Sequence, residues 1–148
     1  MATSANRGKL AESKVKKELD LICTLANADY EKITDAFSSR GGASAARPGD
    51  FLAFQDGRAF LLEVKEVAHD FRLPRANFKV DQRARLMKRH YAGCHCYVLI
   101  RSSTTDLWRM LPVTYFGTES TGSWDLSSIP ACELRPLMQQ IFKYPLNK

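Results

Sequence analysis

The chain contains 148 residues, of which 45% are hydrophobic and 26% are charged, a composition that suits one globular domain. Eight glycines and six prolines are too few for a low-complexity or collagen-like chain. The uncharged apolar runs fall far short of the roughly 20 residues that a membrane helix needs, and the polar N-terminus lacks the features of a secretory signal. We therefore expect an intracellular, cytoplasmic protein with no membrane association.

The basic residues are concentrated in one part of the chain. The formal net charge is +6, from 22 Lys and Arg against 16 Asp and Glu, and such a surplus favours polyanionic partners. The segment from Arg72 to Arg89 contains seven basic residues and one acid, Asp81. Two interpretations remain open for this segment: a nucleic-acid-binding surface, or the solvated face of a helix.

The first predicted element is a helix from about Gly8 to Asn27. Its apolar residues recur at helical spacing, namely Ala11, Val15, Leu19, Ile22 and Ala26. Glu12 lies at the edge of this apolar face near the helix start, where the helix dipole favours a carboxylate. The segment that follows at 37–49 is rich in Ser, Gly and Ala and predicts irregular structure.

The clearest local signal predicts a β-hairpin. Residues 50–54 and 59–64 are two strand-like runs, and the Asp56-Gly57 pair between them is typical of a tight turn. The second run is apolar on both faces until Glu63, which predicts a central strand in a covered sheet.

A second helix is predicted from about Phe78 to Ala92, ending before Gly93. Its predicted apolar face consists of Val80, Ala84, Met87 and Tyr91. A different, polar face carries Gln82, Arg85 and Arg89.

Strands are predicted over 94–101 and 107–111, with a short strand at 124–126 and a last helix over 129–144, broken by Pro136. These elements predict an α/β or α+β domain with a mixed central sheet. Within the strand at 94–101, Cys94 and Cys96 fall on one face and His95 on the other. We interpret the cysteines as small core residues, and metal binding by this cluster is the alternative.

Three polar residues meet at one end of the predicted hairpin. Asp50 opens the first strand, Glu63 and Lys65 close the second, and Glu63 and Lys65 share one face because they are two positions apart. Two carboxylates and an ammonium at the edge of an apolar sheet are costly to hold without a partner. A divalent cation between the carboxylates removes this cost, and oxygen ligands favour Mg²⁺ or Mn²⁺.

Such a site suits phosphodiester hydrolysis. The metal polarises the phosphate and activates a water, and Lys65 orients that water or stabilises the transition state. Glu12 is the candidate for the additional carboxylate that a second metal ion would need. The alternative is structural, with Glu63 and Lys65 on an exposed strand edge and Asp50 in a turn. The clear hairpin, the apolar run before Glu63 and the basic helix after it favour the nuclease interpretation.

These motifs resemble the PD-(D/E)xK nuclease superfamily, in which an Asp and a Glu-x-Lys lie on adjacent strands. The corresponding residues here are Pro48-Gly49-Asp50 and Glu63-Val64-Lys65. More narrowly, the chain is similar to the RecU-type Holliday junction resolvases from Asn6 to about Pro112. The further motifs that carry this resemblance are Asn6-Arg7-Gly8-Lys9 leading to Glu12, Glu66, Phe71-Arg72-Leu73-Pro74, Asn77-Phe78, and Gln82 in the basic helix.

The resemblance implies a three-layer α/β/α restriction-endonuclease-like core with a mixed central sheet. It also implies dependence on Mg²⁺, for which Mn²⁺ substitutes, and a homodimer that binds a four-way DNA junction. The implied metal ligands are Asp50, Glu63 and the Val64 carbonyl, with Glu12 as the helix carboxylate near the metals. Lys65 is then the catalytic lysine, and Gln82 is the glutamine that supports the site.

The sequence departs from the family pattern in three respects. Gly49 separates Pro48 from Asp50, so the adjacent Pro-Asp pair is absent. The chain is shorter than cellular RecU proteins, which suits a phage version in a bacterial or phage-infected host cell. The residues after Pro112 match poorly. We expect one nuclease domain over 1–148, with its core at about 6–112 and a tail of unassigned role at 113–148.

We expect DNA phosphates to bind arginines around the site, where such contacts position DNA without reading its sequence. The candidates are Arg40, Arg47, Arg72, Arg75, Arg83, Arg85 and Arg89. For Arg40 and Arg47 a solvated loop is the alternative. We interpret His69 as a surface residue rather than a base, and Trp108 and Trp124 as core or dimer-interface residues rather than stacking platforms.

The sequence therefore predicts a Mg²⁺-dependent, structure-selective DNA endonuclease, with the resolution of Holliday junctions by paired symmetric nicks as the first hypothesis. The alternatives are a VRR-type flap or repair nuclease of the same superfamily, and a non-catalytic DNA-binding protein on this fold. The presence of Asp50, Glu63 and Lys65 argues against the second alternative.

Overall fold

The computed structural model describes residues 4–33, 49–68, 72–117, 119 and 121–145. Within those residues the helices are α1 (Ser4–Leu25), α2 (Val80–Tyr91) and α3 (Leu134–Met138). The strands are β1 (Ala28–Lys32), β2 (Phe51–Gln55), β3 (Arg58–Val67), β4 (Arg72–Pro74), β5 (His95–Ser102), β6 (Trp108–Leu111) and β7 (Ser123–Asp125). Short 3-10 turns cover Arg75–Asn77 and Val113–Tyr115.

Five strands form a mixed sheet in the order β1-β2-β3-β5-β6. Strands β3 and β5 are parallel, whereas the other neighbouring pairs in this sheet are antiparallel. Strand β3 is therefore the central strand, as the apolar run before Glu63 predicts. Strands β4 and β7 form a separate two-stranded antiparallel ribbon.

Helices cover both faces of the central sheet. Helices α1 and α3 pack on one face, where the core includes Val15, Leu62 and Met138. Helix α2 and the ribbon of β4 and β7 cover the other face, where Leu61 and Leu86 are buried. This arrangement confirms the predicted three-layer α/β/α architecture.

The predicted hairpin of β2 and β3 is confirmed. Asp56 and Gly57 both have positive φ, 53° and 75°, as a two-residue turn between twisted strands requires. The pairing extends one residue before the start of β2, because the Asp50 N–H donates a 2.7 Å hydrogen bond to the Leu62 carbonyl. The backbone register thus carries Asp50 to the position beside Glu63.

Gly49 packs directly against β3. A Cβ atom on Gly49 would lie 2.8 Å from Cδ1 of Leu61 and 3.2 Å from the carbonyl oxygen of Leu62. A side chain at position 49 would therefore force Leu61 to shift, and the glycine that interrupts the expected Pro-Asp pair lets the backbone before Asp50 lie close to β3.

Strand β1 and the buried face of α2 differ from what the sequence predicts. Strand β1 is not predicted, because it is a mostly exposed edge strand with the polar sequence Ala-Asp-Tyr-Glu-Lys. The predicted apolar face of α2 is wrong, since Val80 and Tyr91 are 62% and 72% exposed while Arg83 and Leu86 are buried. Helix α2 turns its Arg83 side towards the sheet because backbone carbonyls at 117 and 119 accept the guanidinium hydrogens.

The C-terminal segment completes the core on the α1 face. Leu137, Met138, Ile141 and Phe142 are buried there, although the sequence resemblance ends at about Pro112. The amide of Gln55 exchanges hydrogen bonds of 2.8 and 2.9 Å with the Lys143 backbone. Helix α3 is shorter than predicted and contains Pro136 in its first turn, where a missing N–H is tolerated.

The Cys94-His95-Cys96 segment behaves as interpreted. Cys94 and Cys96 pack in the core under α2, and the His95 ring lies 5.3 Å from the Phe60 ring on the opposite face. All four cysteines are free thiols. None of the helices in the described ranges is long and apolar enough to cross a bilayer.

Candidate active site

The Asp50 and Glu63 carboxylates lie side by side at the open end of the hairpin. Both side chains are buried, since the two residues are 3% and 2% exposed. Burial first, and then the charge of Glu63, raise the pKa of Asp50 to about 6. The two acids predicted to converge are therefore together, in an environment that resists a second negative charge.

The Asp50 carboxyl group interacts with Val64 and Glu12 in addition to Glu63. The Val64 N–H donates a 2.7 Å hydrogen bond to Oδ2 of Asp50, and the Glu12 side chain forms a further hydrogen bond with Asp50. Both bonds lower the pKa of Asp50, against the larger effect of burial. Two carboxyl groups form such a bond only when one of them carries the proton. Helix α1 thus brings Glu12 to the site, as its position near the helix start predicts.

The two oxygens of Glu63 have different environments. Oε2 accepts a 2.7 Å hydrogen bond from Nε2 of Gln82 and lies 3.2 Å from Nζ of Lys65. Oε1 is buried and has no hydrogen-bond partner among the described residues. A buried carboxylate oxygen without a partner is costly, so Glu63 has one oxygen held by the protein and one that no residue in the described ranges satisfies.

Lys65 is fixed by three neighbours. Its ammonium donates a 2.8 Å hydrogen bond to the Asn77 carbonyl, in addition to the ion pair with Glu63. It also lies over the Phe78 ring, 4.4 Å from the ring centroid. Neither contact is predicted from the sequence, although the Asn77-Phe78 pair is one of the motifs that carry the family resemblance.

The residues present fit one hard divalent cation. The partnerless Oε1 of Glu63 and the raised pKa of Asp50 both mark a site that positive charge stabilises. Within the ranges that the structure describes, no three His, Cys, Asp or Glu side chains form a preformed ion site, the Cys94–Cys96 segment included. Mg²⁺ does not need such a set, because it keeps several waters and binds proteins through one or two carboxylates.

Two of the predicted DNA-binding arginines are bound within the protein. Arg83 is 2% exposed, and its Nη1 donates to the carbonyls of Gly117 and Glu119 at 3.2 and 2.7 Å. Arg75 donates a 3.0 Å hydrogen bond to the Thr121 carbonyl and pairs with the Glu119 carboxylate at 3.4 Å. A buried guanidinium cannot reach a phosphate. The prediction that Arg83 binds DNA is therefore wrong.

Other basic candidates remain on the surface. Arg85 and Arg89 are exposed on α2. They follow Gln82 at helical spacing, so they extend from the carboxylates along the helix. Arg72 is exposed on β4 near Asp125. Arg40, Arg47 and His69 lie outside the described residues.

The two tryptophans belong to the core, as interpreted. Trp108 and Trp124 are 1% and 5% exposed, which leaves neither ring free to stack on a base. Trp124 donates from Nε1 to the Tyr115 carbonyl at 3.0 Å.

The fold is restriction-endonuclease-like, the three-layer class that the sequence predicts. Among solved structures, the chain is similar to Hjc from Archaeoglobus fulgidus, which is described as a Holliday junction resolvase from an archaeal hyperthermophile. The TM-score is 0.61 at 21% sequence identity, and the match covers 88% of this chain and 98% of that chain. No family model and no curated protein matches the sequence. At this identity the likeness concerns the fold, and the narrower RecU-type and phage assignments stay predictions.

Proposed function

We propose that the protein is a metal-dependent, structure-selective DNA endonuclease that resolves Holliday junctions by paired symmetric nicks. The observation that carries this proposal is the buried pair of Asp50 and Glu63, with one Glu63 oxygen left without a partner in the described chain and Lys65 beside the other. The described activity of the structural neighbour supports the choice of a four-way junction as the substrate.

In this proposal Asp50 and Glu63 hold Mg²⁺, or Mn²⁺ in its place, with the Val64 carbonyl as a third ligand and Glu12 next to Asp50. The bound ion supplies Lewis-acid activation of the scissile phosphate and of the attacking water. Lys65 presents an ammonium beside Glu63, where it stabilises the negative charge that builds on the phosphate. Gln82 holds Oε2 of Glu63 and so keeps Oε1 available.

The proposed assembly is a homodimer, because two symmetric nicks in a four-way junction need two symmetric sites. DNA is held by exposed basic residues, among which Arg72, Arg85 and Arg89 lie in the described chain. We further propose that the protein is a RecU-type resolvase of phage size that acts inside a bacterial or phage-infected cell, as one domain over its whole length.

The test is cleavage of a synthetic four-way junction, a flap and a linear duplex by the purified protein with Mg²⁺. We expect paired nicks in the junction. Cleavage confined to the flap would favour the VRR-type repair nuclease instead. Binding of the junction with no cleavage of any substrate would overturn the enzyme proposal in favour of a non-catalytic DNA-binding protein.

The site assignment is tested by Asp50→Asn and Glu63→Gln. Each variant should cleave about 10³-fold more slowly or worse, because metal stabilisation of the transition state contributes several kcal/mol. Junction binding should survive. The matched control is Asp56→Asn in the exposed hairpin turn, where Asn tolerates the positive φ and activity should be unchanged. Normal cleavage by either site variant would contradict the assignment.

A further inference from the structure

The ammonium of Lys65 rests on an aromatic ring that comes from a distant part of the chain. Nζ of Lys65 lies 4.4 Å from the centroid of Phe78, which directly follows the 3-10 turn at Arg75–Asn77 and lies two residues before helix α2. An ammonium over a ring face is attracted by the negative potential of the π-system, and the attraction grows when the pair is shielded from water. The Lys65 side chain is 19% exposed and Phe78 is 3% exposed, so this contact is largely shielded.

The Phe78 ring is itself held from behind. Trp124 meets it edge-on at 5.7 Å between centroids, and Phe116 packs against it at 5.2 Å. Trp124 in turn lies near two guanidiniums, with Cζ of Arg75 at 5.2 Å and Cζ of Arg83 at 5.6 Å from its ring centroid. Phe78 is therefore a fixed surface rather than a mobile neighbour of Lys65.

We infer that Phe78 is a positioning residue for Lys65, and that its ring together with the Asn77 carbonyl fixes the direction in which the ammonium meets the scissile phosphate. This inference rests on the proposed function. A lysine side chain has four rotatable bonds, and the ion pair with Glu63 alone does not select one arrangement of them. The 2.8 Å hydrogen bond to the Asn77 carbonyl and the contact with the Phe78 ring are two further restraints on the Lys65 side chain. The ammonium is therefore positioned before the substrate binds.

The experiment compares Phe78→Leu with Phe116→Leu. Both changes replace a buried ring of the same cluster by an aliphatic side chain, but only Phe78 contacts Lys65. Single-turnover cleavage of a four-way junction with saturating enzyme is measured in Mg²⁺, and the junction Kd is measured in EDTA. We expect Phe78→Leu to slow cleavage roughly 3- to 30-fold, the range for loss of a cation–π contact, at an unchanged Kd. Phe116→Leu should cleave within about threefold of the natural protein, since Trp124 still packs edge-on against the Phe78 ring and keeps it next to Lys65.

Two further measurements separate positioning from general destabilisation. In a Lys65→Ala background, adding Phe78→Leu should cause no further loss of rate, because Phe78 acts through Lys65. The NMR signals of the Lys65 ε-methylene protons should show an upfield ring-current shift that Phe116→Leu retains and Phe78→Leu removes. If Phe78→Leu does not fold, Phe78→Met, which fills the space with a flexible apolar chain, takes its place.

The outcomes distinguish this inference from the proposed function. Equal cleavage rates for the natural protein and both leucine variants would overturn the role of Phe78 and leave the nuclease proposal standing. Equal losses in both leucine variants, or an additive loss in the Lys65→Ala background, would also overturn it. No cleavage by the natural protein would overturn the proposed function, and the role of Phe78 in cleavage with it.

Discussion

Nε2 of Gln82 on helix α2 lies 2.7 Å from Oε2 of Glu63 on strand β3. This bond crosses from the basic helix to the central strand and ends on a carboxylate at the centre of the candidate site. The bond holds Oε2 in place and so fixes the orientation of the whole Glu63 carboxylate. The partnerless Oε1 therefore also has a fixed orientation. The resemblance to the resolvases predicts a supporting role for Gln82, and this bond is the contact through which we expect Gln82 to act.

Replacing Gln82 by Ala should raise the Mg²⁺ concentration needed for half-maximal cleavage by about 10- to 100-fold, the usual cost of losing a residue that orients a metal ligand. The rate at saturating Mg²⁺ should recover most of its value. The measurement is a Mg²⁺ titration of cleavage, with Gln140→Ala on the exposed surface as the matched control. An unchanged Mg²⁺ requirement would show that Gln82 does not orient Glu63.

Asp50 should make the metal-free protein less stable as the pH rises. Its pKa is about 6 in the folded protein and 3.8 ordinarily, so the folded state binds the proton more tightly than the unfolded state does. The folded state then holds more protons between about pH 4 and pH 6, and the free energy of unfolding falls across that window and stays low above it.

Asp50→Asn removes this titration and keeps an oxygen to accept the Val64 N–H. In EDTA the variant should therefore be more stable than the natural protein by about 3 kcal/mol at pH 7, and the difference should vanish below about pH 4. Urea unfolding at both pH values measures this, with Asp56→Asn as the control. A difference that does not depend on pH would exclude the buried carboxylate as its cause.

Arg85 and Arg89 should account for part of the salt dependence of DNA binding. Replacing both by Ala should weaken junction binding and reduce the slope of log K against log salt by about 2, if each arginine contacts one phosphate. The two-charge control is Arg58→Ala with Lys143→Ala. Arg58 begins β3 about 16 Å from Glu63, and the Lys143 backbone is bonded to the neighbouring Gln55. Equal slopes for the two double variants would place the DNA elsewhere on the surface.

Arg83 should act on stability rather than on DNA binding. Arg83→Ala leaves the carbonyls of Gly117 and Glu119 without their donor and opens space beside Trp124, so unfolding should cost about 2 to 4 kcal/mol less. Arg85→Ala on the same helix should change stability by less than about 0.5 kcal/mol. Urea unfolding of both variants checks this contrast, and a reversed order of the two losses would contradict the burial of Arg83.

The sequence predicts those parts of the fold that depend on neighbouring residues. The Asp56-Gly57 turn sets the hairpin register, and that register brings Asp50 beside Glu63 because both lie on paired strands. The buried face of α2 is not predictable in this way. It depends on carbonyls at 117 and 119, more than thirty positions from Arg83, and a basic residue in a basic segment gives no sign of burial.

The same limit applies to the candidate site. The three charged residues follow from strand periodicity, but the support of Lys65 by Phe78 depends on how the Arg75–Asn77 turn returns to the sheet. Strand β1 is missed for another reason, since an edge strand with one solvated side carries little hydrophobic periodicity.

The close packing of Gly49 against Leu61 also affects how distant relatives can be recognised from sequence. A homologue with the same backbone path and the same Leu at position 61 should favour glycine directly before the aspartate. An alignment that requires adjacent proline and aspartate would match Pro48 and would then place Gly49, rather than Asp50, in the column of the catalytic aspartate. A search profile built with an optional glycine spacer at that point should gather sequences that a stricter pattern discards.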